Sequence, residues 1–423
     1  MGPKKVLIIA YHFPPTGGAG ALRSLKTAKY LPLHGWDPVV LTVKNPDWYY
    51  AQDGLLLKDM PTAGVVVRTF MLRSAWVYRT LNPLRIRRLD LWLRRYVVHP
   101  DDQIGWLPFA VRAASALMEK SRFDAVYSTS APLTSHLIAY RICRRFGIPW
   151  MADFRDEWLE NPDLPLPTAW HRRLHFRLEQ RIVRTASRVI TAAPVFGRYL
   201  MKHCPDEPKF ETITMGFDPD DYRDLGGASC RRNEKFTVTF SGLFYGSFRP
   251  DHLLKSVNAL IDGGAIPRQS VCLRFIGANS PNDLREPDKH RLCEFTGFMP
   301  HARALHLAGR SDALLLLLSR ERGRDVIPSK TFEYMALKKP VLALVPPDGD
   351  AAKIIRESGI GLVVDFESVP DIMQAYLRMY RQWENDTLRI DPAGDRIEAY
   401  SYRNLTGRIA AQLDRLIHRT GQP

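Results

Sequence analysis

The residues best suited to chemistry lie between Gly323 and Val345, in the stretch GRDVIPSKTFEYMALKKPVLALV. Asp325 and Glu333 are two acids with seven residues between them, and Lys330 stands three residues before the second acid. Pro328 and Ser329 can start a helix, with Ser329 expected as its N-cap. Lys330 then falls in the first turn, where unsatisfied backbone N–H groups and the positive end of the helix dipole favour an anion. Glu333 lies one turn on and shares a helix face with Lys330. N–H groups and a lysine for a diphosphate, beside a carboxylate for a pair of hydroxyls, suit a nucleotide sugar. An ordinary helix start with an i, i+3 ion pair has the same spacing.

A second set of candidates sits at strand ends in the first half. KKVLIIA (4–10) reads as a buried strand. It runs into a loop with two prolines and Gly17–Gly18, ahead of a helix expected over Ala19 to Leu31. Strand, glycine-rich loop, helix brings backbone N–H groups close to a phosphate or another ligand. A tight turn without a ligand reads the same way. GxGxxG is absent, which argues against a nicotinamide site. Farther on, DAVYS (124–128) and IPWMADF (148–154) read as strands, and the loop TSAPLTSH leads into a helix from Ser135. Ligands of open α/β sheets gather at the carboxyl ends of strands. Loops 12–20, 129–136 and 153–158 should therefore point the same way. His136 and Asp153 are the candidates there for the chemical step, and Arg155 and Asp156 for holding an acceptor. A structural histidine and a salt-bridged turn are the plain alternatives.

The elements that position these residues alternate strand and helix through both halves. In the first, helices are expected at 109–119, 177–188 and 193–202. In the second, strands at 236–241 and around 314–318 and 341–345 are interleaved with helices at 251–261, 351–358 and 372–383. The polar, glycine-bearing stretch 218–234 reads as a linker. The expectation is an α/β protein with two doubly wound Rossmann-like domains, 1–217 and 235–399, facing a cleft.

Composition narrows the class. The chain has 423 residues, 45% hydrophobic and 25% charged, which suits a globular protein with large cores. No apolar run is long enough to span a bilayer, and the N-terminal apolar stretch reads as a first strand, not a leader. Five cysteines without a CxxC pair suggest a reducing cytoplasm. The formal charge is +15, concentrated in two blocks. Residues 73–96 alternate arginines with Trp76, Tyr78, Trp92 and Tyr96, and residues 171–188 carry six arginines. Basic residues among aromatics suggest a surface on anionic lipid, although a solvated helix face has the same composition. Zinc-finger spacing, an RRM aromatic signature and a basic tail are all missing, so nucleic acid is not an expected partner.

The acid–x7–Glu pattern at Asp325 and Glu333, followed by Tyr334-Met335-Ala336 and Lys339-Pro340-Val341-Leu342-Ala343, resembles the nucleotide-sugar motif of family 4 glycosyltransferases with the GT-B fold. Ser130-Ala131-Pro132 with Ser135-His136, and Asp153-Phe154-Arg155-Asp156 with Trp158, resemble a branch of that family that makes surface polysaccharides. The resemblance implies that Asp325 touches the donor sugar and Glu333 holds the ribose. Asp325 stands where the family usually has Glu. It also places Gly17 and Gly18 against the donor diphosphate or the acceptor, and Thr331 among the donor-binding residues. Of two basic residues that hold the diphosphate, the first is Leu243 here and the second is Arg249, leaving Arg249 and Lys330 as the cationic pair. Met215 replaces the Asn of Asn-Gly-x-Asp, and a C-terminal helix over 400–423 is expected to pack back on the first domain.

The implied protein is a retaining glycosyltransferase. It needs no cofactor and no metal, since the family's DxD motif is absent. Its donor is UDP- or GDP-linked, its acceptor a sugar, polysaccharide precursor or lipid-linked sugar, and its place the cytoplasm at the inner membrane face. Epimerisation of a nucleotide sugar, or an inactive basic scaffold, would leave the same donor-side motif.

Overall fold

The computed structural model describes residues 2–44, 46, 54–60, 65–72, 92–93, 95–161, 164, 166–205, 207–225, 232–244, 249–277, 279–319, 324, 326–390 and 394–419. The apolar runs become strands. The first sheet contains β1 (Lys4–Ile9), β2 (Trp36–Val43), β3 (Val65–Thr69), β4 (Ala125–Ser130), β5 (Trp150–Phe154), β6 (Arg188–Thr191) and β7 (Phe210–Thr212). All are parallel, in the order β3-β2-β1-β4-β5-β6-β7. Helices α1 (Ala19–Tyr30), α2 (Leu107–Lys120), α3 (Thr134–Phe146), α4 (Ala169–Thr185) and α5 (Pro194–His203) connect them.

The second sheet repeats the plan with β8 (Phe236–Ser241), β9 (Val271–Ile276), β10 (Cys293–Phe295), β11 (Ala313–Leu317), β12 (Val341–Leu344) and β13 (Gly361–Val364). It is also parallel, in the order β10-β9-β8-β11-β12-β13. Its helices are α6 (Asp251–Asp262), α7 (His301–Gly309), α8 (Ser329–Leu337), α9 (Asp350–Ser358), α10 (Val369–Glu384) and α11 (Gly394–Glu398), and α12 (Tyr402–Arg419) ends the chain.

Two compact units result: residues 1–214 with 402–423, and residues 215–401. In the first, Val6 and Ile8 pack with Leu25 of α1 and with Leu405, Ile409 and Leu413 of α12. Leu7 and Ile9 point the other way, onto Ile138 and Ile142 of α3. Burial on both faces is why β1 reads as an unbroken apolar run without polar alternation. The spacing of Leu405, Ile409 and Leu413 is one helix face. Each sheet reverses its strand order once, between β1 and β4 and between β8 and β11. Loops leaving the two central strands there diverge and open a crevice at the carboxyl ends.

Local expectations differ in three places. Helix α4 starts at Ala169, eight residues before the expected Arg177, because Thr168 caps it by accepting the His171 N–H at 3.4 Å. Ser329 is not the N-cap of α8. Pro328 takes that place with φ −63° and ψ 143°, making Ser329 the first helical residue, with no side-chain cap. The stretch expected as a linker, 218–234, holds a 3-10 helix over Pro219–Leu225, and 226–231 lie outside the described residues. So do 73–91 and 94 of the first basic block. Among the described residues no helix is long and apolar enough to cross a membrane.

The long α4 buries Glu179 completely. Burial, with a smaller push from the Glu160 charge, raises its carboxyl to about 7, against a long bond from the Leu159 N–H (3.4 Å). The unfolded chain loses this proton near 4.5 and the folded chain near 7. The folded state therefore holds the extra proton between those values, and stability falls as pH rises through that window, by ~3 kcal/mol in all. Glu179→Gln should melt several degrees above the parent at pH 8 and within about a degree of it at pH 4.5. Equal melting shifts at both pH values would show that Glu179 stays ionised in the fold.

Candidate functional site

In the second unit the site begins where β8 ends. Gly242 follows Ser241 with φ 140°. Its N–H donates to the Ile276 carbonyl (2.7 Å), and its own carbonyl accepts from Asn279 Nδ2 (2.6 Å). Asn279 Oδ1 accepts the Phe244 N–H at 2.8 Å, so one side chain pins the loop after β8 to the loop after β9. A Cβ on Gly242 would fall 1.9 Å from Lys330 Nζ. The positive φ favours glycine here, and its lack of a side chain leaves room for the lysine. The Lys330 ammonium also lies 4.6 Å from the Phe240 ring centroid. Burial lowers its pKa, and the neighbouring Glu333 charge works in the opposite direction. A part-desolvated cation therefore sits at the switch point of this sheet, on the first turn of α8.

Tyr334 holds α8 in place. It is buried, and its hydroxyl accepts the Ser241 N–H and donates to the Leu315 carbonyl, both at 3.3 Å, tying the helix to β8 and β11. Glu333 is only 17% exposed, with Oε1 3.9 Å from His301 Nε2. His301, the first residue of α7, was missed by the sequence reading, although a histidine opening a helix after a strand end was visible.

The other donor-side candidates fare differently. Arg249 Nε lies 3.3 Å from Asp251 Oδ2, so its charge is already met within its own loop. Leu243 is 52% exposed where the family carries a cation. Thr331 is fully buried with its hydroxyl unpaired. Asp325 lies outside the described residues.

In the first unit the switch point gathers loops from β1, β4 and β5. Gly18 is the N-cap of α1 with φ 93°, a backbone conformation that favours glycine. Arg155 donates from Nε to the Ser130 carbonyl (2.6 Å) and from Nη2 to the Ala131 carbonyl (2.5 Å). Its Nη1 would stand 1.9 Å from a Cβ on Gly20. The guanidinium thus rests against Gly20 in the first turn of α1, and a cation beside the positive end of a helix makes the corner attractive to an anion. His12, directly after β1, belongs to the same corner. Burial first, then the Arg155 charge, push its pKa down to about 3, so it is neutral at physiological pH. The sequence reading took the glycines of this loop and passed over His12, although it stands at the end of the first strand. Asp156 is exposed.

His136 and Asp153 lie deeper than expected. Both are fully buried. Asp153 Oδ2 accepts from Arg23 Nε (2.8 Å), Tyr127 Oη (2.5 Å) and Thr129 Oγ1 (3.0 Å), and Oδ1 accepts from Arg23 Nη2 (2.8 Å). Arg23 also donates to the carbonyls of Ile213 (2.9 Å) and Thr214 (2.6 Å). Burial opposes the charged carboxylate, but the Arg23 charge and the hydrogen bonds from Arg23 and Tyr127 outweigh it and hold the pKa below the usual range. This carboxylate has its acceptors filled; it braces β4, β5 and α1 beneath the Arg155 corner. His136 shares a 2.8 Å hydrogen bond between Nδ1 and Ser128 Oγ, which itself accepts from Trp150 Nε1 at 2.8 Å. The His136 Nε2 is buried and makes no hydrogen bond to the described residues. Burial lowers the His136 pKa to about 3, with Asp153 opposing and Arg155 assisting. As placed, His136 and Asp153 are positioning groups.

Residues 17–216 match a family model described as a glycosyl transferase 4-like domain. No curated protein matches the sequence. Solved structures resemble the whole chain. Anabaena HepE, in complex with UDP and glucose, has a TM-score of 0.61 at 14% identity, covering 98% of this chain and 100% of that one. Sucrose-phosphate synthase from Thermosynechococcus elongatus scores 0.60 at 14% identity, covering 99% and 100%. The UDP-forming trehalose-phosphate synthase from Burkholderia vietnamiensis scores 0.61 at 13%, covering 97% and 100%. The fold is therefore GT-B, two doubly wound α/β units. The matched segment contains His136, Asp153 and Arg155, and it begins at Gly17, five residues after His12.

Proposed function

We propose that this glycosyltransferase-fold protein moves a sugar from a UDP- or GDP-linked donor to a sugar, polysaccharide or lipid-linked acceptor, with retention and without a metal. One observation carries the reading. Lys330 is held against Gly242 at the switch point of the second sheet, on the same helical turns as Glu333. Lys330 and the first-turn amides of α8 would meet the diphosphate charge as the nucleoside diphosphate leaves. Glu333 would hold the ribose hydroxyls, with His301 beside it, and Asp325 would touch the donor sugar. In the first unit Arg155, Gly17, Gly18 and neutral His12 would hold the acceptor or its phosphate. The UDP and glucose bound to HepE support the donor class.

The test is a panel of UDP-, GDP- and ADP-sugars, assayed for binding, hydrolysis and transfer, with Glu333→Ala alongside. One base should bind in the micromolar to millimolar range, and Glu333→Ala should weaken it about tenfold or more, the loss of a charged hydrogen-bond partner. No binding of any nucleotide sugar at millimolar concentration would favour an inactive scaffold.

A lipid surface fits the outer face of α4. Trp170 is 64% and Phe176 39% exposed there, among exposed Arg172, Arg173, Arg177 and Arg181. Beside them runs an apolar groove of about 460 Å³ bounded by Leu159, Phe176 and Tyr199. Exposed aromatics flanked by arginines are suited to an anionic bilayer at the inner membrane face, in the cytoplasm. Vesicles containing phosphatidylserine should sediment the protein. Arg172→Glu with Arg173→Glu should weaken that by about tenfold or more, at ~1 kcal/mol per charge removed. Failure to bind even at low salt removes this part of the proposal.

A further inference from the structure

A cavity of about 820 Å³ in the second unit is not at the donor end of its sheet. Asp312 and Pro340, which line it, immediately precede β11 and β12. It therefore opens at the amino ends of the strands, whereas Gly242, Lys330 and Glu333 stand at the carboxyl ends. Its size is that of a small-molecule site.

The lining is two-sided in chemistry. Phe217, Trp383 and Leu388 supply apolar surface, and Arg223, Arg232, Lys338 and Arg389 supply charge. Lys338 caps the end of α8, where the negative end of a helix dipole accounts for one cation. Arg223 pairs with Asp220 at 2.7 Å in its own 3-10 helix, which leaves Arg232 and Arg389, from other segments, to be accounted for. Arg232 sits over Trp383, its guanidinium carbon 4.1 Å from the ring centroid, and donates from Nη1 to the Glu384 carbonyl at 3.0 Å. Trp383 is only 6% exposed, yet its indole N–H finds no acceptor among the described residues. A buried donor without a partner costs free energy. Asp312, the nearest acid to β11, is already committed, its Oδ2 accepting from the Thr237 N–H (2.8 Å) and Asn233 Nδ2 (3.1 Å).

We infer that this cavity is a second ligand site, for an amphipathic organic anion. The planar or aliphatic body packs on Trp383, Phe217 and Leu388. The phosphate, sulfonate or carboxylate is met by Arg232 and Lys338. The inference does not depend on the donor reading, since the two sites share no residue.

The probe is 8-anilinonaphthalene-1-sulfonate, whose rings and single sulfonate match that description. It is titrated into the full chain with uridine diphosphate present, while the indole N–H resonances are followed by NMR. The Trp383 signal is identified by its loss in Trp383→Phe. That signal should shift saturably. Arg232→Glu with Lys338→Glu, both at exposed positions, should weaken the probe tenfold or more, and Lys330→Ala should leave its affinity unchanged. A Trp383 signal that stays put while the dye brightens elsewhere overturns the inference. So does a double variant that binds as the parent does.

Discussion

Replacing Lys330 with alanine should lower kcat/KM for sugar transfer by about 10²–10³-fold, the usual loss when one pre-placed cation is removed from developing charge. The melting temperature should move by no more than a degree or two. The ammonium is part-buried against Phe240 and Gly242 rather than locked in a short ion pair, so its removal forfeits little folding energy. Gly242→Ala is the companion test. Its new methyl would meet Lys330 Nζ at 1.9 Å and displace the lysine without altering its charge. It should therefore reproduce most of the loss in transfer, and an arginine at 330 should not rescue it. If Lys330→Ala keeps full activity with every competent donor, the diphosphate is neutralised elsewhere and the placement of the donor is wrong.

Removing one partner of the buried pair in the first unit should have the largest effect on stability. Arg23→Ala leaves Asp153 charged, fully buried and short of two hydrogen bonds. Breaking such a pair costs ~3–5 kcal/mol, on the order of 10 °C in melting temperature for a unit of this size. Asp153→Asn should cost less than Asp153→Ala, since the amide keeps one acceptor for Tyr127 and Thr129 but loses the charge facing Arg23. The paired replacement Arg23→Met with Asp153→Leu should recover part of the loss, because no charge is then left unpaired. The same series separates two roles for Asp153. A bracing carboxylate predicts that activity falls in step with stability and that the double variant regains some of both. A catalytic base predicts that Asp153→Asn melts near the parent and transfers nothing.

Much of the plan was readable from local patterns. Apolar runs such as KKVLIIA and the leucines from Leu314 mark strands buried on two faces, and that signal survives without knowledge of any partner. Lys330 and Glu333 fall on the first turns of α8 as their spacing demands, since residues three apart on a helix are neighbours in any fold. The expected N-cap at Ser329 failed because proline, one residue earlier, already had the geometry the position needs.

The depth of a residue was not readable. His136 and Asp153 stand at strand ends beside a loop, which reads as exposed, yet Arg23 of a distant helix and Tyr127 of a neighbouring strand close over Asp153, and Ser128 and Phe154 over His136. Arg249 looked free until Asp251 came within 3.3 Å. His12 and Arg155 are 143 positions apart, counting 155 minus 12, and no spacing rule connects them.

By itself the sequence determined the strands, the helices, their alternation into two doubly wound halves and the basic character of α4. These follow from propensity and periodicity, which act over a few residues. Only the tertiary structure decided which polar groups are buried and paired, that Lys330 rests on a glycine across the switch point, and that a cavity opens at the opposite end of that sheet. Such facts depend on which side chains meet across the fold, and desolvation and charge pairing act through space, not along the chain.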